Sequence, residues 1–269
     1  MSGHLRPSFP IRYGVDPKSV NRALFGAWYE EDIYDRFCTA IPAAMRAFWW
    51  RVPAAIRARE LIFIHVPRVA GTSITRALYG EGCTRHHSIR YYRAVHPKLY
   101  ERAASFAVLR DPFDRFASAY AFVRTGGTPE CRLSDVFVRE TANISTVDDY
   151  LSFLEERGPL DLDFVMRPQS WFVCDLKTGK PLVKDLFLYG EDNMALARYM
   201  APYQSGPLLW LNRARRSAMT LTPRQFARVE KLYADDFALV ESLRGRRRAE
   251  SVGAGSRDGL LHAAWIAAE

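Results

Sequence analysis

Cysteine is sparse in this chain: Cys38, Cys83, Cys131 and Cys174 are the only four in 269 residues. They are scattered, and no C-x-x-C pair occurs. That removes zinc-ligand spacing and argues against a disulfide framework, so a reduced, cytoplasmic setting is the expectation. Long apolar runs are missing too. A membrane-spanning helix needs about 20 consecutive apolar residues, and the nearest candidate, residues 40–59 (AIPAAMRAFWWRVPAAIRAR), is broken by arginines and prolines. Its aromatic and basic mixture fits either a helix packed on the domain or a weak, peripheral lie on a membrane surface, which in this setting is the inner membrane. The opening MSGHLRPSFPIRYG lacks the apolar core of a secretion signal. Repeats are absent. Basic residues are dispersed rather than interleaved with aromatics on one stretch, so no nucleic acid is expected as a partner.

What is present is an ordinary globular composition, 48% apolar and 25% charged, with a net charge of +8. The length suits one α/β domain with a full core. The positive excess fits an anionic ligand, an acidic polymer or an anionic surface, or simply a basic exterior.

Short apolar runs alternate with helical patterns. ELIFIHV (60–66) reads as a buried parallel strand, followed by a loop and by SITRALYG, which stops at Gly80 as at a helix C-cap. RYYRAVHPKLYERA is helical with a break or new first turn at Pro97, and SFAVL (105–109) is a second strand. RDPFDRFASAYAFVRTGG then starts a helix with Asp111 as N-cap, Pro112 at the first position and Asp114 in the first turn. Phe113, Phe116, Ala117 and Tyr120 make its apolar stripe, and Gly126-Gly127 stops it. A capping box opens a helix at Thr146 with Asp149, and VKDLFLYGEDNMALARYM is strand, turn, helix. A long helix runs from the Thr222/Gln225 box to Gly245, with Phe226, Val229, Tyr233, Phe237 and Val240 on its buried face. Residues 1 to about 20 read as an irregular arm, and 21–58 as helical with Trp28, Phe37, Phe48 and Trp49 packing. This divides the chain into residues 1–58, an arm and helices packed on the core; 59–244, the α/β domain with a central parallel sheet flanked by helices on both faces; and 245–269, a mobile tail.

In such sheets ligands bind at the carboxyl ends of the strands, and two strand ends here carry polar, basic loops. In HVPRVAGTS (65–73), Ala70 and Gly71 leave room for an anion at a helix N-terminus, Thr72 and Ser73 add hydroxyls and Arg68 adds charge. A structural turn before a well-capped helix would look similar. The loop lacks the Gly-Lys-Ser/Thr ending of the nucleotide hydrolases, and no clear acidic strand end offers itself to Mg²⁺. In the second loop Arg110 stands at a strand end, with Asp114 and Ser118 four and eight residues on. Arginine suits a terminal phosphate, the alternative being a salt bridge to a neighbouring carboxylate.

Together HVPRVAGTS and RDPFDRFASAY (110–120) resemble the sulfotransferases that use 3′-phosphoadenylyl sulfate, in the carbohydrate (Golgi-type, family 2) branch and in a bacterial-like form. RPQSWF, LFLYGEDNM, LNRARRS and LYADDF extend the likeness over most of residues 60–240. The resemblance implies a P-loop-like sulfotransferase fold. It places Arg68, Ala70, Gly71, Thr72, Ser73 and Ile74 around the 5′-phosphosulfate and Arg110 and Ser118 on the 3′-phosphate. It gives Asn212, Arg216 and Ser217, in a basic loop before the last helix, the part of closing over the nucleotide. The family usually has lysine where this chain has Arg68; arginine keeps the charge but spreads it over a planar fork, so full activity is left open.

The implied chemistry is in-line sulfuryl transfer to a hydroxyl of a saccharide, a glycolipid or a polysaccharide precursor, with 3′,5′-adenosine bisphosphate as product and no metal. A base must take the hydroxyl proton. In related enzymes a histidine two residues before a serine or threonine often occupies the region after the first loop and helix. His86, with Ser88, matches best; His87 is the alternative, and both could instead be surface histidines. The competing expectations are a P-loop-type phosphotransferase and a non-catalytic binder of nucleotide or glycan.

Overall fold

The structure is a computed structural model that describes residues 17–37, 52–80, 85–128, 131–204 and 219–249. Among these residues three strands form a parallel sheet in the order β1 (Leu61–Ile64), β2 (Ala104–Leu109), β3 (Asp185–Leu188). Leu61 pairs with Ala104 and Ile64 with Ala107; Phe106 pairs with Asp185 and Leu109 with Leu188. Successive strand residues point to opposite faces, and all four residues of β1 and the last five of β2 are buried. The β1–β2 part of the sheet is therefore covered on both sides, as its apolar runs require, whereas β3 runs from exposed Asp185 through half-buried Leu186 and Phe187 to buried Leu188.

The open edge of β1 is closed by a side chain. Tyr79 Oη donates to Leu61 O at 2.7 Å and accepts from Phe63 N at 3.0 Å. Tyr79 ends α4 (Gly71–Tyr79), the helix that follows β1.

Among the described residues three helices precede that strand: α1 (Pro17–Phe25), α2 (Glu30–Phe37) and α3 (Ala54–Arg59). Between β1 and β2 the chain forms α4, α5 (Ile89–Val95) and α6 (Pro97–Arg102). Between β2 and β3 lie α7 (Pro112–Thr125), α8 (Asp135–Glu140), α9 (Val147–Glu155) and α10 (Ser170–Val173). Then follow α11 (Asn193–Met200), α12 (Pro223–Leu232) and α13 (234–249).

The local signals in the sequence set most helix starts. Asp111 accepts from Phe113 N and Asp114 N at the start of α7. Full capping boxes open α9 (Thr146/Asp149) and α12 (Thr222/Gln225). Pro97 starts α6, and Gly80 and Gly126 end α4 and α7 with positive φ of 80° and 73°.

The structure differs from the sequence reading in five places. Helix begins at Pro17, inside the expected arm. Of the expected helical stretch 21–58, the described residues form α1, α2 and α3; residues 38–51, Phe48 and Trp49 among them, lie outside the described residues, as does the side chain of Phe37. The buried stripe of α7 is Pro112, Arg115, Phe116, Ala119, Phe122 and Val123, while Phe113, Ala117 and Tyr120 are half-buried. Arg115 hid that stripe from a hydrophobicity pattern. The final helix is two helices, broken at Tyr233 (φ −117°, ψ 29°), whose hydroxyl donates to Met166 O at 2.8 Å, and its Phe226 is exposed. Finally, α13 continues through Gly245 to residue 249, so the boundary set at 245 falls inside a helix. A helical glycine costs about 1 kcal/mol. Ion pairs of Arg244 with Glu191 and Asp111, and of Arg247 with Asp192, hold that turn on the domain. Residues 250–269 lie outside the described residues.

The N-terminal helices are tied to the domain by polar contacts. Arg167 and Asp32, both buried, make a two-pronged ion pair at 2.6 and 2.8 Å. Ser88 Oγ and Arg90 both donate to Asp35, and Tyr29 Oη donates to Asp163.

Candidate active site

Strands β1 and β2 are neighbours, so the loops leaving their carboxyl ends, 65–70 and 110–111, lie side by side. They open on one cavity of about 330 Å³, within the size range of small-molecule sites.

The first loop turns sharply. Arg68 (φ 71°) and Ala70 (φ 62°) both hold left-handed conformations that residues with a Cβ disfavour by roughly 1–2 kcal/mol. Alternation of right- and left-handed residues is the backbone form of an anion nest. Ala70 caps α4 without a side-chain hydrogen bond. The first backbone bond inside the helix runs from Ile74 N to Ala70 O, at 3.2 Å. Gly71 and Thr72 line the cavity, and a helix start provides no intrahelical acceptor for their N–H groups.

Arg110 comes from the second loop. Its backbone is clamped by Gln169: Nε2 donates to Arg110 O and Oε1 accepts from Arg110 N, both at 2.8 Å. Gln169 is fixed in turn by Asp236, which accepts from Gln169 N and Ser170 N. The Arg110 side chain is buried, 8% exposed as a residue, yet poorly paired. Nη2 lies 3.7 Å from Asp114 Oδ2, and Nε is buried with no hydrogen-bond partner. Arg68 Nε donates to Ser118 Oγ at 3.1 Å, and its guanidinium lies over the Phe122 ring at 4.7 Å. Burial lowers the Arg68 pKa, and the Arg110 and Arg115 charges push the same way. The two loops are joined by buried Arg115, whose Nε donates to Pro67 O at 3.2 Å and whose Nη2 donates to Val165 O at 3.4 Å.

His86 stands on the wall of this cavity. Its Nδ1 is 3.2 Å from His65 O. A carbonyl oxygen only accepts, so Nδ1 carries the hydrogen and Nε2 keeps its lone pair. Burial lowers the His86 pKa below the usual histidine value; the His65 carbonyl and the Asp163 charge oppose that shift without cancelling it. The ring is therefore neutral at pH 7.

The structure thus brings Arg68, Ala70, Gly71, Thr72, His86, Arg110 and Ser118 to one cavity. It separates others from it. His87 is buried elsewhere, stacked on Tyr91 at 3.8 Å, and burial lowers its pKa to about 3. The pattern with Ser88 puts His86 ahead of His87, and the structure places only His86 on the cavity. The Ile74 side chain is in the core and its N–H is used inside the helix, so it has nothing to offer a ligand. Ser73 is buried in α4. Asn212, Arg216 and Ser217 lie outside the described residues. Ser88, which marked His86 in the sequence, accepts from Tyr91 N as the N-cap of α5.

Several cavity residues carried little or no sequence signal. Lys18, Tyr29 and Glu31 come from the N-terminal helices, and Ser134, Asp163 and Phe164 from the segment between β2 and β3. Gln169 and Asp236 were signalled only as parts of RPQSWF and LYADDF. His65 also lines the cavity, its ring 4.5 Å from that of His86.

A parallel α/β sheet with a nest and helix start on one strand end and a buried, under-paired arginine on the next offers the chemistry that suits anionic groups. Residues 56–200, more than half of the chain, match the model of the sulfotransferase family. The chain belongs to that family, and is a transferase of sulfuryl groups to a hydroxyl-bearing acceptor. No curated protein and no solved structure matches it. No helix among the described residues is long and apolar enough to cross a membrane.

Proposed function

We propose that the protein moves a sulfuryl group from 3′-phosphoadenylyl sulfate to a saccharide hydroxyl, on a free sugar, glycolipid or polysaccharide precursor, in the cytoplasm or at the inner face of the membrane. The observation that carries the reading is Arg110. A buried guanidinium with an orphaned Nε and only a distant carboxylate calls for an anion. It faces the same cavity as the α4 N-terminus, so two anion sites stand on one cavity. A donor with separate 3′ and 5′ anionic groups fits that spacing of functions.

The donor supplies an activated sulfur and a phosphate leaving group. The chain supplies the rest. Gly71 and Thr72 present N–H groups and the helix dipole to the 5′ end. Arg110 and the Arg68–Ser118 pair hold the 3′-phosphate. His86, fixed as the Nδ1–H tautomer, accepts the hydroxyl proton at Nε2. The cationic work falls to side chains and backbone, so a metal has no assigned part. Lys18, Tyr29, Glu31, Ser134 and Asp163 make the hydrogen-bonding wall on which the acceptor lies.

The test is calorimetry with 3′,5′-adenosine bisphosphate and with ATP, each with and without Mg²⁺. The expected result is metal-independent binding of the bisphosphate in preference to ATP. In Arg110→Ala the affinity drops about 10- to 150-fold, the worth of a charged hydrogen bond of about 1.5–3 kcal/mol. His86→Ala leaves that affinity intact and slows turnover by about 10²–10⁴. Preference for ATP with Mg²⁺ would overturn the reading.

A further inference from the structure

His65 follows β1 and is only 6% exposed; its Nδ1 is buried without a hydrogen-bond partner. Its ring is pressed against the start of α4. A Cβ built on Gly71 would lie 1.7 Å from His65 Cδ2 and 2.0 Å from Nε2. The Cδ2–Nε2 edge therefore occupies the space over the first residue of the helix, and only glycine at 71 permits that approach. The same ring lines the cavity.

Arg68, the charged side chain of this loop, is directed elsewhere. Its Nε bonds Ser118 and its guanidinium covers Phe122, both on α7. At the α4 end of the cavity the polar side chain over Gly71 is the imidazole.

The tautomer follows from Nδ1. A hydrogen there would leave a buried donor unsatisfied; a hydrogen on Nε2 leaves only an unsatisfied acceptor. Buried orphan donors are the rarer of the two in folded proteins. The favoured form has Nε2–H at the helix start.

We propose that His65 is a second catalytic histidine, which donates Nε2–H to the leaving oxygen of the donor seated at the α4 N-terminus. The inference rests on the donor class given above. In the step, the acceptor oxygen forms its bond to sulfur as the bond from sulfur to the bridging oxygen breaks. The acceptor proton goes to His86 Nε2. The bridging oxygen keeps the electron pair and becomes a phosphate oxygen, and His65 stabilises that charge by a hydrogen bond without giving up its proton. Burial, and then repulsion from His86 whenever that ring is protonated, hold the His65 pKa well below the usual value, which suits a neutral donor.

The test combines imidazole ¹⁵N NMR of the wild-type protein, titrated with 3′,5′-adenosine bisphosphate, with two variants. The expected result is a shift of the His65 Nε2 resonance on saturation. His65→Leu slows release of the bisphosphate from 3′-phosphoadenylyl sulfate in water by about 10²–10³, the cost of one lost oxyanion donor. Its affinity for the bisphosphate changes less than tenfold. His65→Gln, which keeps an N–H, recovers part of the rate. Bisphosphate binding with an unmoved His65 resonance overturns this inference alone, as does a His65→Leu rate within threefold of wild type. Absence of bisphosphate binding to the wild type overturns the donor class, and this role with it.

Discussion

His86 and His87 are adjacent, and their surroundings separate them. His86 has a carbonyl to fix its tautomer and a cavity to face. His87 is sealed against Tyr91, with Nδ1 unpartnered. Its folded pKa, about 3, lies below the unfolded value of about 6.5. As pH falls below about 6.5 the unfolded chain takes up the proton first. Stability is thus full above that pH and declines between about 6.5 and about 3, at about 1.4 kcal/mol per pH unit. His65 and His86, also lowered by burial, act in the same direction. In His87→Phe the stack is kept and the proton site is gone. Thermal melts at pH 7, 6 and 5 are expected to fall less steeply than in wild type, with bisphosphate affinity unchanged; an equal fall would sink the assignment.

At the scale of elements, helix ends were legible and helix faces less so. The Thr222/Gln225 and Thr146/Asp149 boxes are local chemistry, and both form as their spacing predicts. Neighbouring elements then add to them: Gln225 Nε2 and Arg228 Nη1 both donate to Asp148 on α9. Thr222→Ala is expected to cost about 1 kcal/mol in urea unfolding, as for other N-cap losses, without weakening the bisphosphate. The break at Tyr233 and the rotation of α7 could not be read, because a Met166 carbonyl and the paired guanidinium of Arg115 cause them, and both depend on residues far away in sequence.

At the scale of the molecule, α1, α2 and the turn between them lie outside the family-matched segment yet furnish one wall of the cavity. Their anchor is the buried Arg167–Asp32 pair. Asp32→Ala strands a buried guanidinium, and a loss of about 3–5 kcal/mol is expected in denaturant unfolding. Asp32→Leu combined with Arg167→Met, which leaves no charge behind, is expected to lose less than the single variant. A loss below about 1 kcal/mol in Asp32→Ala would show that the pair does not hold the helices.

The sequence by itself determined the strands, the two loops at their ends and most of the helix caps, because these depend on residues within a few positions of one another. It also brought Arg68, Gly71, Thr72, Arg110, Ser118 and His86 into view as candidates. Only the tertiary structure decided that Arg68 reaches across to Ser118, that Gln169 grips the backbone of Arg110, that His65 lies on Gly71 and that His87 turns away. Those outcomes are set by burial and by partners distant in the chain, and no local pattern encodes which hydrogen bond a buried side chain will find.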